Sequence, residues 1–463
     1  MPVDHARSFA EDELFFSTTD PKGIITSGND VFVRVSGYGL DDLLGAAHNI
    51  IRHPAMPRAV FAALWDYLER GETIAAYVKN LAADGAYYWV MALVVPLPEG
   101  YLSVRLKPSE PLLGAAEAIY ADVLATEQRV ENGDVRRRRE SISAGVQRLQ
   151  ELLAGAGYAD YTAFMHEAFS AEVTARQRRA QASAAGATDD PDTTLGEAAA
   201  TSLEAERALQ EMVDELAHSE HLAVDLREKS RFVFGLAEEI ELFALNAVLS
   251  AARLGDEGAA LAAVASILGR RSGESATDIR ALNGRLGETA DHLGGMRFRV
   301  AGGALMAEMA RRYLDGLRDS GAPASTCAVE LRALSMGLAD AANEMATAVD
   351  CFTAGTSQVE AAVARVDAHL RAIRALEVNG QIEGARLNDT VVSELFVAIS
   401  HQIEEAREQL QVFHTLSEVA SGAQMRGRSA ATTAIATRAA ELVRCLSADG
   451  RQAAEAAALA QAA

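Results

Sequence analysis

The chain has 463 residues, 49% of them apolar and only 6% aromatic, with a formal net charge of −22. That length holds two or three domains with real cores, and that charge excludes the basic surface a nucleic-acid binder needs to neutralise phosphates. There is no run of roughly 18 apolar residues to span a membrane, no apolar leader at the N-terminus, and three cysteines (Cys327, Cys351, Cys445) without a CxxC pair, which together predict a cytoplasmic protein with no structural metal.

Both tryptophans, Trp65 and Trp89, fall in the first 110 residues, and the rest is rich in Ala, Leu, Glu and Arg. A compact N-terminal domain followed by a helical remainder is the expectation. Residues 14–18 are β-rich, Asp20-Pro21-Lys22-Gly23 is a turn, and 23–26 make a hairpin partner. Helical segments follow at 30–35, 40–44 and 56–70. Strands follow at 74–81, 87–96 and 101–106, joined by turns at Asp84-Gly85 and Pro98-Glu99-Gly100. The order β-β-α-α-α-β-β-β requires an antiparallel sheet with helices over one face.

The segments at 17–20, 29–33, 35–38 and 48–54 (HNIIRHP), together with Val78-Lys79-Asn80, Asp84-Gly85 and Tyr88-Trp89-Val90, resemble PAS domains of the aerotaxis-receptor branch. The resemblance implies a pocket for non-covalent FAD, with Asn29, Arg52 and His53 on positions tied to flavin binding. Arg52 offers a planar fork for a phosphate or carbonyl. Ile74 stands where the family pattern has a tryptophan, and Ala55 where it has an acidic residue. Pro54 and Pro57 also make the same run a rigid turn before the 56–70 helix. FAD, another small ligand or haem (through His48 and His53), and no cofactor all stay open. The first cysteine is Cys327, so a photo-adduct in the pocket is excluded.

Residues 109–183 form a helical connector, amphipathic over 112–129, 135–153 and 161–179. Residues 184–196 are small, acidic and proline-broken, and predict a flexible linker. From 197 the apolar period is seven. One seam runs through Leu209, Leu216, Ala223, Ser230, Ala237, Ala244 and Ala251, the other through Met212, Ser219, Leu226, Val233, Ile240, Ala247 and Leu254. The pattern returns 133 residues later: NAVLSAARLGD at 246–256 matches NGQIEGARLND at 379–389, with Val359, Val363, Val366, Leu370 and Ile373 in the seam. Two long helical hairpins, at 197–300 and 326–463, are predicted, joined by a linker with a short helix at 301–325.

The stretch 242–258 is similar to the hairpin tip of methyl-accepting chemotaxis proteins. The resemblance implies that Asn246, Arg253 and Asp256, with Asn379, Glu383 and Arg386 in the second copy, contact a chemotaxis histidine kinase and its coupling protein. The expected fold is an α+β PAS domain (1–108) followed by all-α hairpins, as a coiled coil or four-helix bundle. The seams predict a homodimer or higher oligomer, unless the two hairpins close on each other within one chain. No catalytic motif is present, so the expected function is a chemotaxis or aerotaxis-type transducer sensing redox state or oxygen. The competing expectation is a cofactor-free PAS and coiled-coil scaffold outside chemotaxis.

Overall fold

A computed structural model describes residues 2–109, 112–183, 194–218, 220–321, 323–419 and 422–462. The chain divides into two units, one built from 1–214, 294–347 and 429–463, the other from 215–293 and 348–428.

The first unit opens with a five-stranded antiparallel sheet: β1 Leu14–Thr19, β2 Ile25–Gly28, β3 Ile74–Leu81, β4 Tyr87–Leu97 and β5 Gly100–Leu106, in the order β2-β1-β5-β4-β3. Helices α1 Asp30–Ser36, α2 Leu40–Leu43 and α3 Arg58–Glu69 lie between β2 and β3 in sequence. The predicted turns form for the expected reasons. Asp20 Oδ1 accepts from the backbone N–H of Lys22 and Ile24, and Gly23 takes a φ of 77°. Gly100 has a φ of 146°, and a Cβ there would stand 1.8 Å from the Thr19 carbonyl oxygen. A short 3₁₀ helix at His48–Ile51 was not foreseen in the sequence.

Residues paired across strands share a face. Ser17, Ser103, Val94 and Ile74 form one row, and Phe15, Arg105, Ala92 and Ala76 a second, both on the inner side. Phe16, Val104, Leu93 and Ala75 form a row on the opposite side. Left bare, that outer row would expose a broad apolar surface. It is covered instead by other helices of the same unit.

The connector supplies three of them, α4 Leu112–Glu131, α5 Arg138–Gly155 and α6 Tyr161–Ser183. Trp89 packs on Tyr120 of α4. Tyr77 donates its hydroxyl to Glu172 of α6 at 2.8 Å. Glu127 of α4 is buried and caps α3, accepting from the N–H groups of Arg58 (2.9 Å) and Ala59 (2.7 Å).

The long helices are α7 Thr194–His218, α8 Glu220–Arg253, α9 Ala259–Ser320, α10 Ala328–Leu387, α11 Thr390–Val419 and α12 Gly422–Ala462. In the first unit, the end of α9 and the start of α10 meet the outer sheet face. Phe16 makes an edge contact with Tyr313 at 5.3 Å between ring centres. A Cβ on Gly302 would lie 3.6 Å from Leu93, and one on Gly337 would lie 2.9 Å from Leu102. Arg176 of α6, almost wholly buried, forks onto Glu308 of α9 at 3.0 and 2.7 Å. The same guanidinium donates to the carbonyls of Glu11, Asp12 and Glu13, which lead into β1. Burial works against the Glu308 carboxylate, but Arg176 and Arg312 hold its pKa below the usual range.

The second unit is a bundle of four helical segments from α8, α9, α10 and α11. One core layer joins Ile240, Ala244, Ala247 and Ala251 to Leu261, Ala265, Leu268, Ile373, Phe396 and Ile399. Another joins Ile279, Leu282 and Leu286 to Val359, Val363, Val366 and Leu370. The described seam residues of this unit are therefore buried against each other within one chain. Ser219 lies outside the described residues, as do the side chains of Ala223, Leu226, Ser230, Val233 and Ala237. Leu209, Met212, Leu216, Ile240, Ala244, Ala247 and Ala251 are buried, and Leu254 is partly so. The turn positions of the repeat also correspond: Gly255 and Asn388, 133 residues apart, take φ values of 60° and 53°.

The linker expected over 301–325 is corrected by the structure, since α9 runs unbroken through it to Ser320. Gly302 and Gly303 read locally as breakers, each costing about 1 kcal/mol against Ala. Here they permit close packing: a Cβ on Gly303 would stand 3.3 Å from Leu209. The helix ends at Gly321, with a φ of 65°. The linker expected over 184–196 lies outside the described residues up to 193, and α7 begins at Thr194.

Candidate ligand cavity and helical tips

A cavity of about 300 Å³ lies between the inner sheet face and α3. This is at the lower edge of the size range of small-molecule sites. Phe61, Leu64, Trp65 and Leu68 recur at i, i+3, i+4 and i+7 on α3 and form one wall. Ser17, Val78, Asn80, Val94, Ser103 and Arg105 lie on the sheet wall, and Lys22, His48, Asn49 and Arg52 are among the other lining residues. The lining holds three cationic side chains, Lys22, Arg52 and Arg105, and no carboxylate.

Of the four residues expected at a cofactor, Arg52 is on the wall. Its Nη2 donates to the Met56 carbonyl at 3.0 Å and its guanidinium lies 4.2 Å above the Phe61 ring. Burial, and then the nearby charge of Arg58, lower its pKa. His53 is buried outside the lining, where its Nδ1 accepts from the Ala55 N–H at 3.1 Å and its ring meets the edge of Tyr87. Burial, and then Lys79, lower its pKa. Asn29 caps α1 and ties it to β1, its Oδ1 accepting from Phe32 and Phe16 N–H and its Nδ2 donating to the Leu14 carbonyl. Ile74 is fully buried in the inner-face row, also outside the lining.

Three features of the lining escaped the sequence reading. Trp65 supplies from α3 the aromatic wall that position 74 lacks, meeting Tyr101 edge-on at 5.5 Å. The Nδ2 of Asn80 is buried without a hydrogen-bond partner, and the residue is 3% exposed. Arg105, also 3% exposed, donates from Nη2 to His48 Nε2 at 2.7 Å and to Ser17 Oγ at 3.0 Å, and from Nη1 to the Ser103 carbonyl at 3.4 Å. Arginine is donor-only, so His48 Nε2 carries the lone pair and Nδ1 the proton. Burial and the charge of Arg105 push the His48 pKa down to about 3, so the ring is neutral at pH 7. Its open edge lies on the cavity. Burial lowers Arg105 to about 10, which still leaves it charged.

In the second unit, Asn246, Arg253, Asp256, Asn379 and Arg386 are exposed and Glu383 is half-buried. Arg386 pairs with Glu383 at 2.8 Å, and its Nη2 donates to the Glu257 carbonyl in the other turn at 3.3 Å. Beside them, Leu245 and Leu249 on α8 and their counterparts Val378 and Ile382 on α10 are exposed. Each helix thus presents the same stripe of apolar residue, Asn, apolar residue and Arg.

Residues 25–101 match the family described as the PAS fold. The chain is 41% identical over 136 residues to the aerotaxis receptor of Escherichia coli (strain K12), covering 28% of this chain and 27% of the receptor. It is 30% identical over 82 residues to the biofilm dispersion protein BdlA of Pseudomonas aeruginosa, covering 18% of this chain and 20% of that one. A solved PAS domain from Colwellia psychrerythraea aligns with 20% of this chain and 85% of its own, at 19% identity and a TM-score of 0.20. The chain thus spans about a quarter or less of the lengths of these two relatives. No helix among the described residues is long and apolar enough to cross a membrane. The N-terminal domain is a PAS domain, similar in sequence to part of the aerotaxis receptor, and it is joined in one chain to a long helical region.

Proposed function

We propose that the protein is a transducer of the aerotaxis type, in which a flavin held by the PAS cavity governs the state of the helical hairpins. The observation that carries this reading is the cavity's polar lining: cationic and donor groups, two aromatic side chains from α3, and no carboxylate. The unpartnered Asn80 Nδ2 calls for an acceptor. A flavin ring presents a planar apolar body and an edge of carbonyl and imine acceptors, and a nucleotide tail would find Lys22 and Arg52. Bound there, FAD would supply a group whose charge and hydrogen bonding change with redox state.

The chain's own residues offer a route outward. Ser17 faces Arg105 on the inner side of β1, and its neighbour Phe16 faces Tyr313 on the outer side. A small shift of β1 is therefore felt by α9, which packs on it directly. At the tips, the repeated stripes of the two hairpins are the surface for the chemotaxis kinase or its coupling protein. Exposed apolar residues rimmed by polar ones suit a protein partner.

The test is purification in the dark without added cofactor, followed by titration with FAD. Absorbance near 450 nm that Arg52→Ala abolishes supports the reading. A wild type that stays colourless after FAD is added contradicts it and favours the cofactor-free scaffold. Charge reversal at both tips (Arg253→Glu with Arg386→Glu) is expected to abolish pull-down of the kinase or coupling protein while leaving helicity intact.

A further inference from the structure

Arg105 sits in the cavity wall at 3% exposure, and each hydrogen-bond partner of its guanidinium there is neutral: Ser17 Oγ, neutral His48 and the Ser103 carbonyl. Phe15 and Phe32 lie at 5.8 and 5.4 Å from it, in reach of a cation–π contact. Ring faces offset part of the cost of burying a cation, but they do not replace a counter-ion. Asn80, on the same sheet face, also lines the cavity, and its buried Nδ2 has no hydrogen-bond partner. The buried charge of Arg105 stands on a cavity whose lining brings it no anion.

We propose that Arg105 is the charge that selects the ligand: the cavity takes a planar molecule whose inner edge is anionic or rich in acceptors, and that edge docks at Arg105. This rests on reading the cavity as a ligand site, and it applies to flavins and other planar anions alike. Arg52, already engaged by Met56 and Phe61 and half-exposed, is left to the outer part of the ligand. Arg105 therefore decides what enters deepest, and it does so by charge.

The experiment uses the full chain and three probes measured by isothermal titration at pH 7.5: FAD, the planar anion 2-naphthoate, and its neutral isostere 2-naphthamide. Wild type is expected to bind 2-naphthoate at least tenfold more tightly than Arg105→Gln does. Binding of 2-naphthamide should not differ between the two. Arg105→Lys keeps a cation at the same place and should retain most of the naphthoate preference, which separates loss of charge from a disturbed wall. Equal binding of naphthoate by wild type and Arg105→Gln overturns the proposal, as does failure of wild type to prefer the anion. If FAD does not bind wild type while naphthoate shows the charge dependence, the flavin reading falls and the assignment of Arg105 stands. If FAD binds wild type and Arg105→Gln alike, the flavin reading stands and the assignment falls.

Discussion

Around the sheet, the core is built from Phe15, Phe16, Phe32, Tyr77 and Tyr88, all fully buried. The bundle of the second unit mixes small with large residues at its seams, Ala244, Ala247, Ala251, Ala265 and Ala276 standing among Ile240, Leu261, Leu268, Ile373 and Phe396. Bulky side chains interlock in few ways, so the PAS region holds one arrangement and can keep a cavity open within it. Each alanine contributes little packing energy, so the small-residue stretches of the bundle can hold two arrangements within a few kcal/mol. Under the proposed function the PAS region would hold the ligand and the bundle would change state.

Four measurements sharpen or break that contrast. The largest effect is expected at the sheet: Phe16→Ala removes a fully buried ring that meets Tyr313, and should cost about 3–5 kcal/mol in chemical denaturation. In the bundle, Ala247→Gly should cost no more than about 1 kcal/mol. Comparable losses at the two sites would erase the distinction. Next, Arg176→Met leaves the buried Glu308 carboxylate with Arg312 as its one remaining cation and should cost about 3 kcal/mol. The double variant Arg176→Met with Glu308→Leu should recover most of it; no recovery would mean that the contacts to the Glu11–Glu13 carbonyls dominate. A smaller loss, about 1–3 kcal/mol, is expected for Gly380→Ala, whose Cβ would fall 2.1 Å from the Phe396 ring. Phe396→Leu in the same chain should relieve it.

The remaining measurement is a pH dependence. His48 is neutral in the folded protein because burial and Arg105 take its pKa from 6.5 to about 3. The unfolded chain binds that proton below pH 6.5 and the folded one does not. Its contribution is therefore complete above pH 6.5 and declines as pH falls toward 3, by about 1.4 kcal/mol per pH unit. His48→Gln should flatten the stability profile by that slope between pH 6 and 4. His166, held down to about 4 by burial and Arg299, keeps a similar slope in the variant. An unchanged profile would show that His48 titrates normally.

The succession of strands along the chain, the turns at Gly23 and Gly100, the described seam positions and the 133-residue repeat were legible in the sequence, because each depends on local periodicity or on a backbone angle that few residues accept. Gly302-Gly303 misled for the same reason. Local rules read the pair as a break, and only the approach of Leu93 and Leu209 explains why a helix keeps it. Of the expected cofactor residues, Arg52 could be placed at the cavity from its motif, while Asn29 and His53 turn out to satisfy backbone groups. Arg105 carried no signal, since an arginine alternating with apolar neighbours in an edge-like run reads as a solvent-facing strand position. Its burial follows from β5 lying between β1 and β4, a fact of topology. Trp65 was visible as part of an amphipathic helix, but which molecule its stripe faces depends on the void beneath.

The central claim is that occupancy of the cavity is passed through the sheet to the helices packed on its outer face. Hydrogen–deuterium exchange of the full chain, with and without saturating FAD, tests it most directly. The account predicts altered exchange in β1 and β5 and also in residues 294–320 and 328–347, where Gly302, Tyr313 and Gly337 meet the sheet. A change confined to α3, the 3₁₀ helix and the inner strands, with 294–347 unaltered, would contradict it.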